Sequence, residues 1–132
     1  MDVSTLALIL PSLFWMRISI SAVWLYEGLW CKVLGMMPSQ LAIVVELPGC
    51  TPDRALKILK VVGSVEIFLG LWVLTGVHPA WCALAEVMLL VLMNGNALLW
   101  ARHLVFDPVG MVLKNMAFLM LVWVCGAMAI RR

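Results

Sequence analysis

The sequence predicts an all-α integral membrane protein, an up-down-up-down four-helix bundle with a short interfacial helix between helices 1 and 2. Of its 132 residues, 65% are hydrophobic and only 12% are charged, whereas a soluble domain carries about 25% charged residues. The mean hydropathy is +1.10. Four apolar runs are each long enough to cross a bilayer, which takes about 20 helical residues. Short loops join the last three runs and make neighbouring helices antiparallel.

The predicted spans follow one another along a single domain, separated by one longer connection. Thr51 or Asp53 can cap the second span, and Pro108 suits the first turn of the fourth. The longer connection contains Pro38 and seven mostly apolar residues, too few to span a bilayer, so we expect an interfacial helix there. We place the spans at about 13–33, 54–74, 80–102 and 109–130, and the interfacial segment at about 38–47.

Charge and cysteine content exclude several classes of protein. The net charge of +2 comes without a cluster of exposed basic residues, so we do not expect binding to nucleic acid. The four cysteines form no C-x-x-C motif, which leaves a metal site without support. A disulfide between Cys31 and Cys50 stays open, as does the orientation in the membrane, because basic residues flank both faces.

Charged side chains gather at similar depth in one half of the predicted bundle. Glu27 lies in the first span, Glu66 in the second and Lys114 in the fourth. Ionisable groups at such depth mark a functional site by default. Two carboxylates face one deep lysine, so either Lys32 reaches in or one glutamate stays protonated. A neutral carboxyl in an apolar site suits a general acid or a proton relay, and we predict Glu27, Glu66 and Lys114 as catalytic residues.

Other polar and aromatic side chains are predicted to bind a ligand at the same site. Instead of binding a ligand, the asparagines among them can form hydrogen bonds between helices. Lys32 can likewise extend to the lipid headgroups instead of entering the site. On the second span, Gly63, Glu66 and Gly70 share one stripe, where small residues let a helix or a flat ligand approach closely. The predicted ligand-binding residues are Tyr26, Lys32, Asn94, Asn96, Asn115 and Trp24.

A second charge pair is predicted in the other half of the bundle. Arg17 and Glu86 fall at matching depth on the first and third spans, and neither side chain is comfortable in lipid. We interpret them as a structural clasp between two helices, with a second functional centre as the alternative.

Three sets of short motifs follow one another along the chain: Tyr26-Glu27-Gly28-Leu29 followed by Lys32, Val65-Glu66 with Gly70-Leu71-Trp72, and Asp107-Pro108 followed by Lys114-Asn115. Together and in this order they resemble the DoxX-like family of small four-helix membrane proteins. Cys31 stands where the family's first motif has proline, which changes the bend at that helix end.

The resemblance implies a multi-pass protein of the bacterial inner membrane. Members of the family are linked to quinone-dependent thiosulfate oxidation or to thiol and superoxide defence, and eukaryotic relatives act as assembly chaperones or cargo receptors. The leading hypothesis is therefore a redox-associated subunit that binds a quinone, without a covalently bound cofactor, beside other membrane or redox proteins. An accessory subunit of a larger complex and a small acid-base enzyme are the alternatives, and a homo-oligomer stays open.

Overall fold

In the computed structural model, Asp2 and residues 12–130 are described, and this part of the chain contains helices and no strands. The all-helical prediction is thus confirmed. A π-helical segment directly continues the first helix, and a short 3-10 turn precedes the last. The elements are α1 (Leu13–Leu25), the π segment (Tyr26–Val33), α2 (Pro38–Val45), α3 (Pro52–Thr75), α4 (Pro79–Trp100), the 3-10 turn (Arg102–Leu104) and α5 (Pro108–Ile130).

Polar side chains and proline define the helix ends. The hydroxyl of Ser12 accepts a hydrogen bond from the Trp15 amide at the start of α1, and the hydroxyl of Thr51 accepts one from the Arg54 amide at the start of α3. Each bond satisfies one of the amides that a first turn leaves without a partner. At its other end α3 stops at Gly76, whose φ of 68° lies in the left-handed region that favours glycine.

Three helices, α3, α4 and α5, are long and apolar enough to cross a membrane. The stretch Leu13–Val33 is long and apolar enough to cross a membrane only when it is taken together with α2. A bend of 75° separates the two. Residues 12–130 therefore contain three candidate spans, or four if the bent pair is one broken span. The four predicted runs all form helices, and a short helix, α2, lies in the predicted connection. The up-down-up-down arrangement and the interfacial position of α2 stay predictions.

Packing within the bundle centres on two helix pairs. The π segment and α1 pack most extensively against α3, and α4 packs against α5. Contacts between α1 and α5 join the pairs, and α2 lies against α3 and the π segment. The buried apolar core includes Ile20, Trp24, Leu69, Leu90 and Val122. This arrangement places the first helical stretch between α3 on one side and α5 on the other.

Candidate functional site

The π segment changes which residues of the first helical stretch face the same way. A hydrogen bond of 2.8 Å from the Leu34 amide to the Leu29 carbonyl spans five residues, as in a π-helix. In an α-helix, Glu27 and Lys32 would point about 140° apart. The wider π turns bring positions five apart closer together, and Lys32 Nζ lies 3.5 Å from Glu27 Oε2. The local helix type therefore creates this ion pair.

Two glycines hold the π segment directly against α3. A Cβ on Gly28 would lie 2.6 Å from the Gly63 carbonyl oxygen, and one on Gly63 would lie 2.8 Å from the Gly28 carbonyl oxygen. Real side chains do not fit at such distances, so both positions require glycine. The predicted close approach along the stripe of Gly63 and Gly70 is confirmed, since a Cβ on Gly70 would also meet Leu25 at 3.2 Å.

This contact places Glu66 of α3 beside Lys32 of the π segment. Lys32 Nζ lies 2.9 Å from Glu66 Oε1 and donates a hydrogen bond of 3.1 Å to Oε2. The exposed side-chain fraction rises from 0% at Glu66 through 4% at Lys32 to 38% at Glu27. Charged groups thus form a continuous row from the interior to the surface. With all three ionised the row carries one negative charge, which one added proton neutralises.

Gln40 of α2 completes this polar row, which we call the Glu27–Lys32–Glu66 cluster. Its Nε2 donates a hydrogen bond of 3.1 Å to Glu27 Oε2. Its Oε1 is buried and accepts no hydrogen bond from any residue that the structure describes. The sequence analysis missed Gln40, although a lone amide in an otherwise apolar segment was a signal that could have found it. The bend before α2 brings it to the cluster.

Lys114 does not join the cluster, contrary to the prediction from depth. Its side chain is exposed, and within residues 12–130 the ion pairs of Glu27 and Glu66 are both made with Lys32. The reason is that α5 packs mainly on α4 and α1. The sequence analysis left two ways to balance the acids, a nearby Lys32 or a protonated glutamate. In the structure, Lys32 lies between the two acids and pairs with both.

The predicted asparagines contact one another instead of the cluster. Asn115 Nδ2 donates a hydrogen bond of 2.6 Å to Asn94 Oδ1, and Asn94 Nδ2 donates one of 3.0 Å to the Leu90 carbonyl. The bond between the two asparagines connects α5 to α4. This is the structural role that we considered for them as the alternative to ligand binding. Asn96 is half-buried, and its Oδ1 has no hydrogen-bond partner among the described residues.

The two aromatic residues predicted for the site point elsewhere. Tyr26 is exposed on the π segment. Trp24 is buried, stacks edge-on against Phe118 and donates a hydrogen bond of 2.7 Å from Nε1 to Glu86 Oε1. The predicted pairing of Arg17 with Glu86 is not a direct contact, because no ion pair joins them within the described residues. Both instead line one small cavity.

Among the described residues, the cysteines and histidines form neither a disulfide nor a metal site. All four cysteines are free thiols, so Cys31 and Cys50 are not bridged. Across Asp2 and residues 12–130, no group of three or more His, Cys, Asp or Glu side chains is arranged to hold a metal ion. An exposed pair, His103 Nε2 and Glu46 Oε2 at 3.8 Å, connects the 3-10 turn to the end of α2.

Comparison with known proteins yields one match. No curated protein and no solved structure matches the chain. The model of the DoxX-like family matches residues 21–123, which is more than half of the chain and includes the Glu27–Lys32–Glu66 cluster. The predicted resemblance is confirmed, and this membrane protein belongs to the DoxX-like family.

Proposed function

We propose that the protein is a redox-associated subunit of the bacterial inner membrane that binds the headgroup of a quinone or a similar lipophilic molecule and exchanges protons with it. The observation that carries the proposal is the row of contacts from fully buried Glu66 through Lys32 to half-exposed Glu27. Such a row can accept a proton at one end and keep its total charge near zero. A partner protein takes up the electrons when the quinol is oxidised and supplies them when the quinone is reduced, because the chain has no haem, flavin or iron–sulfur motif.

The ligand is expected at the Glu27 end of the cluster. Glu66 and Lys32 are buried, whereas the Glu27 side chain is 38% exposed, so a headgroup reaches Glu27 without rearrangement of the helices. The Glu27 carboxylate accepts a hydrogen bond from a quinol hydroxyl, and Gln40 Nε2, which donates to Glu27 Oε2, holds that carboxylate in position. Carboxylates positioned in this way serve as general bases.

The proton then has a defined destination. Transfer from a quinol hydroxyl to Glu27 neutralises that carboxylate and leaves Lys32 paired with Glu66 alone. In the reverse direction, Glu27 returns the proton to the reduced headgroup oxygen. Lys32 keeps both carboxylates near a positive charge throughout, so no uncompensated charge is left in the low-dielectric interior.

Quinone binding by the purified protein tests this proposal. The protein is reconstituted in nanodiscs and titrated with a short-chain ubiquinone and its quinol, with binding followed by calorimetry. We expect Glu27→Gln and Lys32→Met to weaken binding at least tenfold, and Gln40→Leu to weaken it by a smaller factor. Glu46→Gln and Lys57→Met serve as matched controls on exposed side chains outside the cluster.

Two results would contradict the proposal. One is wild-type protein that binds neither form of the quinone. The other is equal loss of affinity in the cluster variants and the exposed controls, which would place the ligand away from Glu27.

A non-catalytic accessory subunit is the second candidate, and the sealed packing of Lys32 and Glu66 favours it. In that case the ion pairs serve to hold the π segment on α3, and other faces of the bundle bind a larger membrane complex. The two functions separate in one measurement. Glu27→Gln removes only the half-exposed acid. If the protein is an accessory subunit, this variant still associates with its partner complex as the wild type does; if it binds quinone as proposed, the same variant binds quinone at least tenfold more weakly.

A further inference from the structure

A small cavity lies between α1, α3, α4 and α5, apart from the Glu27–Lys32–Glu66 cluster. Its volume is about 20 Å³, and a buried water molecule needs about 10–15 Å³. Arg17 and Glu86 are its charged lining residues. Glu86 lies seven residues into α4, roughly two helical turns from the α3–α4 turn. The cavity therefore has room for one water molecule beside a buried acid.

The carboxyl group of Glu86 is only half satisfied by the protein. Trp24 Nε1 donates to Oε1 at 2.7 Å, but the nearest donor to Oε2 is the Cys82 thiol at 4.0 Å. A thiol is a weak donor, and a buried carboxylate oxygen without a good donor costs several kcal/mol. Because Glu86 is only 3% exposed, bulk solvent does not supply a stronger donor to Oε2, whereas a water molecule in the cavity that Glu86 lines can do so.

Arg17 faces the same cavity from α1 and is held by the end of α3. A Cβ placed on Gly76 would lie 2.8 Å from an Arg17 guanidinium nitrogen, so the guanidinium packs on the left-handed turn that ends α3. The last carbonyls of a helix carry partial negative charge, which stabilises the cation at this position. Arg17 is half-buried, so it connects the cavity to the surface near the α3–α4 turn.

We propose that this cavity is a second proton-exchange site, in which one water molecule links the carboxyl group of Glu86 to the guanidinium of Arg17. When Glu86 is ionised, the water donates a hydrogen bond to Oε2 and accepts one from an Arg17 N–H. When Glu86 is protonated, Oε2–H donates to the water instead. The proton moves between Oε2, the water and solvent near the α3–α4 turn, and no bond to carbon forms or breaks.

The groups around Glu86 determine how this site responds to pH. From α1 the charged group is Arg17, and from α5 the titratable group is the Cys125 thiol. On α4 itself the neighbour is Cys82, while α3 contributes only uncharged lining residues. Among the described residues that line the cavity, Arg17 is the one cation and Glu86 the one carboxylic acid. The proposal is independent of quinone binding, because none of these residues belongs to the Glu27–Lys32–Glu66 cluster.

Infrared spectroscopy of the whole protein in lipid tests the proposal. Difference spectra between acidic and alkaline pH should contain the carbonyl band of a buried carboxyl group, which Glu86→Gln removes and Glu66→Gln leaves in place. In D₂O this band should shift within seconds, since the water supplies deuterium. Ala129→Leu, which fills the cavity from α5, should slow that exchange at least tenfold, whereas Ala127→Leu, whose side chain does not line the cavity, should leave it unchanged.

Three outcomes would overturn the proposal. The first is wild-type protein with no band that depends on Glu86 at any pH. The second is a Glu86 band that stays unexchanged for hours in D₂O, a measurement that needs no filled variant and so stands even if Ala129→Leu does not fold. The third is equal exchange in Ala129→Leu and Ala127→Leu, which would exclude the cavity as the route.

Discussion

Replacing Lys32 with methionine is expected to destabilise the fold strongly, because it leaves the fully buried Glu66 without a cation. Methionine keeps most of the apolar stem and removes the ammonium group that lies 2.9 Å from Glu66 and 3.5 Å from Glu27. Removing one partner of a buried ion pair costs about 3–5 kcal/mol. Protonation of Glu66 relieves part of that loss, so we expect a decrease of about 2–4 kcal/mol in the free energy of unfolding.

A double-mutant cycle separates the ion pair from general damage to packing. Glu66→Gln alone leaves Lys32 buried beside an amide, and the double variant Lys32→Met/Glu66→Gln removes both charges. We expect the double variant to recover at least 1 kcal/mol relative to the sum of the single variants, since neighbouring groups couple by about 0.5–3 kcal/mol. Glu27→Gln should cost less, at most about 1 kcal/mol, because Glu27 is half-exposed and solvent screens its ion pair with Lys32.

Reversible unfolding in mixed detergent micelles, followed by circular dichroism, measures these differences. Lys57→Met is the matched control, because Lys57 is an exposed lysine on α3, and it should change stability by no more than about 0.5 kcal/mol. The reasoning is refuted if Lys32→Met is as stable as Lys57→Met, or if the Lys32 and Glu66 substitutions are simply additive.

Three further substitutions test other contacts in the same assay. Gly63→Ala should destabilise by about 1–3 kcal/mol because its Cβ would overlap Lys32 and the opposite backbone, whereas Gly95→Ala, which meets no atom within 4 Å, should be neutral or stabilise by up to about 1 kcal/mol; equal effects would contradict the close contact. Asn94→Ala should lower the free energy of unfolding by about 0.6–1.7 kcal/mol, because it removes the hydrogen bond between α4 and α5. An unchanged free energy of unfolding would show that this bond does not stabilise the fold. Trp24→Phe should cost about 1–3 kcal/mol by removing the donor to the buried carboxylate of α4, and the loss should shrink once that acid is replaced by leucine, which has no acceptor; an undiminished loss would point to packing alone.

Much of the architecture can be predicted from local sequence. Apolar runs of the right length locate α3, α4 and α5, because the length of a span follows from the thickness of the bilayer. Thr51 predicts the start of α3 and Pro108 that of α5. Both can be recognised locally, because capping depends on residues a few positions apart. The isolated acids Glu27 and Glu66 were likewise identified from their apolar surroundings, since burying a charge in lipid needs a specific partner.

The partner of each charged group could not be predicted from depth. Depth is one coordinate along a helix, and it paired Lys114 with the acids because all three lie in the same half of the bundle. The rotation of each helix about its axis decides which side chains meet. That rotation turns Lys114 outward on α5 and directs Trp24 toward Glu86 and away from the cluster.

The sequence by itself determined a membrane-embedded helical chain of the DoxX-like family with one acid within the apolar run of each of its first two long helical stretches. Only the tertiary structure decided that Lys32 is their common partner. The reason is physical: the π turns bring Lys32 over Glu27, and the contact between Gly28 and Gly63 brings the same ammonium group to Glu66. Both effects depend on backbone packing between segments far apart in sequence, which no local pattern of residues specifies.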